Sequence, residues 1–173
     1  MTNESTSLEA VESMSFEAIL DEVYQGEVIG EAFFNTLLPR FKSPEQQYKL
    51  GSLLQLETEF KAKVRPLAIA HGLDPVEREE SRQKGQGFAD SLEGETWEEV
   101  MANFAAMMPT FVARYEDLGA AVPSDYKEFG VLLAAHEKSI GDFVKLEAVG
   151  ETNNSIKDVV EQLIYPLPSP KKD

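Results

Sequence analysis

Apolar residues recur at three- and four-residue spacing through four long stretches of the chain, the period of helices buried along one face. The first predicted helix runs from Phe16 to Phe41, with Ser15 as N-cap and Leu20, Tyr24, Phe34, Leu38 and Phe41 in its stripe. The second opens at Ser43-Pro44-Glu45-Gln46, an N-cap, a proline at the first helical position and a capping box. It carries Leu50, Leu53, Phe60, Val64 and Leu67, and ends at His71, where Gly72 offers a left-handed stop. Thr96-Trp97-Glu98-Glu99 is a further capping box. The helix behind it reads Trp97, Met101, Phe104, Met108, Phe111, Tyr115 and Leu118 before Gly119. The fourth follows Pro123-Ser124-Asp125 and reads Phe129, Leu133, Ile140 and Phe143 or Val144, to a stop at Val149-Gly150. Pro66 and Pro109, inside the second and third, predict bends. No stretch makes a convincing strand.

The connections run short, long, short. A crossing from Leu73 to Glu95 is long enough to span helices of about 33–42 Å. That pattern predicts an all-α, up-down four-helix bundle in which the third helix is parallel to the second and the fourth antiparallel to the third. Asp74-Pro75-Val76-Glu77 predicts the start of a short polar helix within the crossing, and the charged run from Glu77 to Lys84 a solvated face. From Asn154, the residues Ile156, Val159, Val160, Leu163 and Ile164 predict a short C-terminal helix lying across one end; Pro166, Pro168 and Pro170 then exclude further helix. The expected organisation is a disordered lead-in over residues 1–14, one helical domain over 15–165 and a loose tail over 166–173.

Polar residues interrupt these stripes at few places. Glu27 and Glu31 lie in the first, Glu57 in the second, and His136 in the fourth with Glu137 on its flank. An ionised carboxylate is costly to bury without partners, so each intrusion needs other groups converging on it. Residue counts along the predicted helices put them near one mid-height layer. Carboxylates stacked there require a cation, or retain protons at raised pKa. The alternatives are a helix rotation that gives the glutamates solvent or a basic partner, and a core imidazole hydrogen-bonded to a glutamate. His71, at the end of its helix, reads as a favourable C-terminal residue.

Composition narrows the function classes. A formal net charge of -15 provides no basic footprint, so neither nucleic acid nor an anionic membrane surface is an expected partner. There is no cysteine, which excludes disulfides and thiolate metal sites. Without a basic, apolar leader or a run of roughly 20 apolar residues, a soluble cytoplasmic protein is expected.

The short-long-short helices with inward acidic residues resemble the ferritin-like superfamily, and in particular small bacterial rubrerythrin-like domains. GEVIGEAFFNTLL (Gly26–Leu38) and LQLETEF around Glu57 resemble the first two helices, and AAHEKSIGDF (Ala134–Phe143) resembles the last long one. The resemblance implies a di-iron site built from one Glu on each of two helices and a Glu-x-x-His on each of the others. Glu27 or Glu31 matches the first glutamate, Glu57 the second and Glu137 a third. Phe60 and Ile140 stand where the two histidines belong, His136 lies beside Glu137, and Met107 and Met108 stand at the height of the remaining Glu. Two functions follow as expectations. One is a carboxylate-rich site of Glu27, Glu31, Glu57, His136 and Glu137 that binds Fe or Mn weakly, with redox or oxygen-linked chemistry. The other is a metal-free binding or assembly module. A homodimer and a small apolar ligand held by Phe34, Phe60 and Phe104 are further expectations.

Overall fold

The computed structural model of the protein describes residues 11 and 13–170. Its helices are α1 (Phe16–Leu37), α2 (Pro44–Ala70), α3 (Glu79–Asp90), α4 (Trp97–Ala121), α5 (Lys127–Ala148) and α6 (Lys157–Val160). Among the described residues there is no strand, and no helix is long and apolar enough to cross a membrane.

Side-chain pairs fix the helix directions. Tyr24 meets Arg65 and Glu31 meets Lys61, so α1 and α2 are antiparallel. Asp21 pairs with Arg78, Gln25 with Ser81 and Arg40 with Asp90, so α3 runs parallel to α1. α3 thus carries the chain back to the end where α1 finishes, and Trp97 at the start of α4 packs edge-on against Phe41. α4 returns antiparallel to α1, with Phe104 against Phe33 and Tyr115 against Glu27. It therefore runs parallel to α2. α5 is antiparallel to α4; their backbones touch at Gly119 and Gly130, where a Cβ on Gly119 would lie 2.5 Å from the Gly130 carbonyl oxygen.

The apolar core is divided. One cluster, with Leu37, Leu50, Met101, Phe143 and Trp97, fills the end near the start of α4, and α6 closes it with Val159. The other, with Leu20, Val23, Val64, Leu118 and Leu133, fills the opposite end. The polar residues described below lie between them.

Several boundaries differ from the sequence reading. α1 stops at Leu37 and gives way to a 3-10 turn, because Pro39 has no N–H to offer the carbonyl of Asn35. The crossing's helix starts at Glu79 rather than Asp74. Gln25 holds the intervening strip out of helix: its amide donates to the Val76 carbonyl and its oxygen accepts from the Arg78 N–H and the Ser81 hydroxyl. α4 runs past Gly119 to Ala121, since that glycine serves the close approach to α5 rather than a stop. Pro66 and Pro109 are accommodated inside unbroken helices. The Thr96–Glu99 capping box forms in both directions, whereas the Ser43 side chain makes no capping bond. The C-terminal amphipathic run is helical only over Lys157–Val160. Most of the expected lead-in lies outside the described residues, as do residues 171–173 of the tail; Val11 is buried in the second core cluster.

Candidate functional site

Glu27 on α1, Glu57 on α2 and His136 on α5 converge between the two core clusters. All three are buried, Glu27 and His136 completely. One ligand atom from each, two carboxylate oxygens and an imidazole nitrogen, lies within 4.8 Å of the others. His136 Nε2 is 3.1 Å from Glu27 Oε2 and 3.7 Å from Glu57 Oε2. Despite that approach, Glu27 Oε2 and both nitrogens of His136 lack a hydrogen-bond partner. Buried polar atoms are rarely left so, and three within one cluster mark a place where another group belongs.

The surroundings hold this arrangement. Phe60 stacks on the His136 ring at 4.3 Å between centroids. Tyr115 donates its hydroxyl to Glu27 Oε1 at 3.3 Å. Two glycines of α1 make the space: a Cβ on Gly26 would collide with the Tyr115 hydroxyl, and one on Gly30 would lie 2.6 Å from Glu57 Oε1. Glycine in a helix interior costs up to about 1 kcal/mol relative to alanine, so Gly26 and Gly30 exchange helix stability for room around the carboxylates.

Burial and charge shift the titrations. Burial, reinforced by the charge of Glu27, pushes Glu57 up to about 8 against the opposing pull of His136. Burial opposes the charged form of His136, but Glu27 and then Glu57 outweigh it and raise the imidazole well above its usual range. Burial, then Glu27, raises the Tyr115 phenol well above its usual value. Burial also lifts Glu137 to about 7.

The structure brings together three of the five residues singled out from the sequence. Glu31 is held elsewhere: it accepts from Thr58 Oγ1 at 2.6 Å and pairs with Lys61, which also pairs with Glu77 at 2.6 Å. Glu137 is buried beside the cluster and makes no hydrogen bond or ion pair with the described residues; it faces a neighbouring cavity instead. Phe34 and Phe104 line that cavity, while Phe60 lies against His136. His71 caps α2, and its Nε2 is 2.8 Å from the Tyr126 hydroxyl. Periodicity does not set Tyr115 apart from the rest of its apolar stripe, nor does it mark Gly26 and Gly30. Two glycines one turn apart flanking a glutamate in a helix interior were the available signal.

The donor set is two carboxylates and one imidazole, with oxygen and nitrogen ligands that suit Mn(II) or Fe(II). The support usual for a ligating imidazole, a carboxylate or carbonyl on its other nitrogen, is missing from Nδ1. Phe60 and Ile140, at the two positions where the ferritin-like resemblance implies histidines, are buried apolar residues that offer no ligand. In comparisons with family models, with curated proteins and with solved structures, nothing matches this chain.

Proposed function

We propose that this chain is a ferritin-like four-helix bundle protein whose buried Glu27, Glu57 and His136 hold a single divalent cation, Mn(II) or Fe(II), with modest affinity. The observation that carries the reading is the convergence of their ligand atoms within 4.8 Å while Glu27 Oε2 and His136 Nε2, though close, make no hydrogen bond. A bound cation satisfies both atoms and stabilises the charged carboxylates. Such a cation supplies Lewis acidity and, for iron or manganese, redox chemistry with oxygen. The protein's residues exclude bulk water, orient the imidazole through Phe60 and hold Glu27 through Tyr115. One imidazole, with no partner on Nδ1, fits weak binding of one ion better than a tight di-metal pair.

Mn(II) titration of the metal-free protein, followed by loss of the free-ion electron paramagnetic resonance signal, tests the reading. Saturation near one ion per chain is expected, with His136→Ala and Glu57→Gln each weakening it about tenfold or more. Equal binding by wild type and both variants would place the ion elsewhere. Wild type that binds no Mn(II) or Fe(II) would favour the second reading, a metal-free ferritin-like module. The observation on that side is the 3.1 Å approach of His136 Nε2 to Glu27 Oε2, which with His136 protonated balances one buried charge without a metal.

A further inference from the structure

A cavity of about 440 Å³ lies in the gap between α3 and α4 alongside α1, and is lined also by Glu57 and Glu137 from α2 and α5. That volume is within the ~300–1,000 Å³ range of small-molecule sites. Its walls are aromatic rings and thioethers, with Phe33, Phe34, Phe88, Phe104, Met107 and Met108 among them. Two of its cations are already matched: Arg78 forks onto Asp21 at 2.6 and 2.8 Å, and Arg114 onto Glu22 at 2.7 Å through both contacts. Lys84 is exposed and lies 5.8 Å from the centroid of the Phe88 ring.

Glu137 has no such match. It is 8% exposed, lines the cavity, and makes no hydrogen bond or ion pair with any described residue. A carboxyl in that setting demands a donor, and the cavity is the side from which one can come. Glu57 and Tyr115 line the same space.

We propose that this cavity binds a small organic amine, with its hydrocarbon part along the phenylalanine and methionine walls and its ammonium donating to Glu137. The polar groups on the α2 and α5 side are carboxyls, which once ionised select against an anionic head and hold an ammonium more strongly than a neutral hydroxyl. Aromatic faces add attraction for an ammonium. The net charge of -15 raises the local concentration of cations over anions. The inference does not depend on a cation at Glu27, Glu57 and His136.

Calorimetric titration of the metal-free full chain with 2-phenylethylamine, 2-phenylethanol and 3-phenylpropanoate tests it. The three probes share a ring and differ in head group. The amine is expected to bind at least about tenfold more tightly than the alcohol, and the acid not measurably. Glu137→Gln should weaken the amine about tenfold while leaving the alcohol unchanged. Met107→Trp, which fills the cavity from a half-buried position, should abolish both. An acid that binds as well as the amine, an amine indifferent to Glu137→Gln, or no binding by any probe would overturn the proposal. Because no metal is present in the titration, its outcome and that of the Mn(II) experiment stand apart.

Discussion

Gly30 on α1 faces the carboxylate of Glu57 on α2 so closely that a methyl group there would lie 2.6 Å from Glu57 Oε1. The clash is with the far end of a side chain, so the helices need not separate to relieve it. Gly30→Ala should gain roughly 1 kcal/mol of helix propensity and lose a similar amount in displacing Glu57. Thermal melts are therefore expected within about 1 kcal/mol of wild type, while Mn(II) affinity falls about tenfold or more. An unchanged affinity would mean that the gap does not set the carboxylate's position.

Glu31 separates a structural carboxylate from those of the site. It binds Thr58 and the buried Lys61, and Lys61 retains Glu77 as a second partner. Glu31→Gln should cost roughly 1–3 kcal/mol of stability, the range for a hydrogen bond to a charged group. Mn(II) affinity should not change. A variant that weakened metal binding as much as Glu57→Gln would bring Glu31 back as a ligand.

Glu27 and Glu31 also show what the sequence made legible and what it did not. The Ser15 and Thr96 caps, the glycines after α2 and α5 and the loop lengths located the long helices and their directions, whereas Gly119 proved a point of close approach to α5. The intruding Glu57 and His136 stood out against apolar stripes, and the structure does bury them together. Glu27 and Glu31, one turn apart on the same stripe, could not be ranked by periodicity. Their fates were decided by Lys61 and Glu77, which look like ordinary surface charges until α2 and the crossing are packed on α1. The start of α3 was missed for a similar reason. Asp74-Pro75 is a sound local start signal, but Gln25, some fifty residues earlier, claims the backbone of Val76 and Arg78.

The metal-free protein should lose stability as pH rises from about 5 to 8. Glu57 moves from an ordinary 4.5 to about 8 on folding, and Glu137 from 4.5 to about 7. A group with a raised folded pKa binds its proton more tightly in the native state. Its contribution is complete below the unfolded value and is lost as pH rises through the folded one. His136, also raised, acts in the same direction above its unfolded value. Glu77, held low first by its bond from Lys61, has the opposite sign, but its loss falls below 4.5. Each proton taken up on folding contributes at most about 1.4 kcal/mol per pH unit. Denaturant melts at half-unit steps should show the decline, with a shallower slope in Glu57→Gln. Metal binding needs the deprotonated carboxylates, so Mn(II) should bind more tightly over the same interval, with release of protons. A flat stability profile from pH 5 to 8 would show that Glu57 titrates as it does in the unfolded chain.

The last prediction concerns the end of the molecule near α6, away from the site. Glu147 on α5 accepts from Lys49 Nζ on α2 at 2.7 Å, from Trp97 Nε1 on α4 at 2.8 Å, and from the Ser155 hydroxyl. Its side chain is fully buried, and that of Lys49 nearly so. One carboxylate therefore ties three long helices to the loop before α6. Burying a charge pair is expensive, and the pair is worth keeping only while every lone pair and proton is used. Removing the carboxylate breaks the pair: Glu147→Leu should cost up to about 3–5 kcal/mol, leaving the indole N–H without its acceptor and Lys49 with only the exposed Glu45 at 2.8 Å and the Thr152 carbonyl at 3.2 Å. Lys49→Met should cost less, because the Trp97 and Ser155 bonds to Glu147 survive. The double variant Lys49→Met/Glu147→Leu should be less destabilised than the two single losses added together, since no buried charge remains unpaired. Urea melts of the four proteins give this cycle directly. Trp97 is the sole tryptophan, so its emission reports the same place, and a red shift is expected in Glu147→Leu as water reaches the freed N–H. Strictly additive losses would mean that Lys49 and Glu147 stabilise the fold independently, and the network would reduce to separate hydrogen bonds.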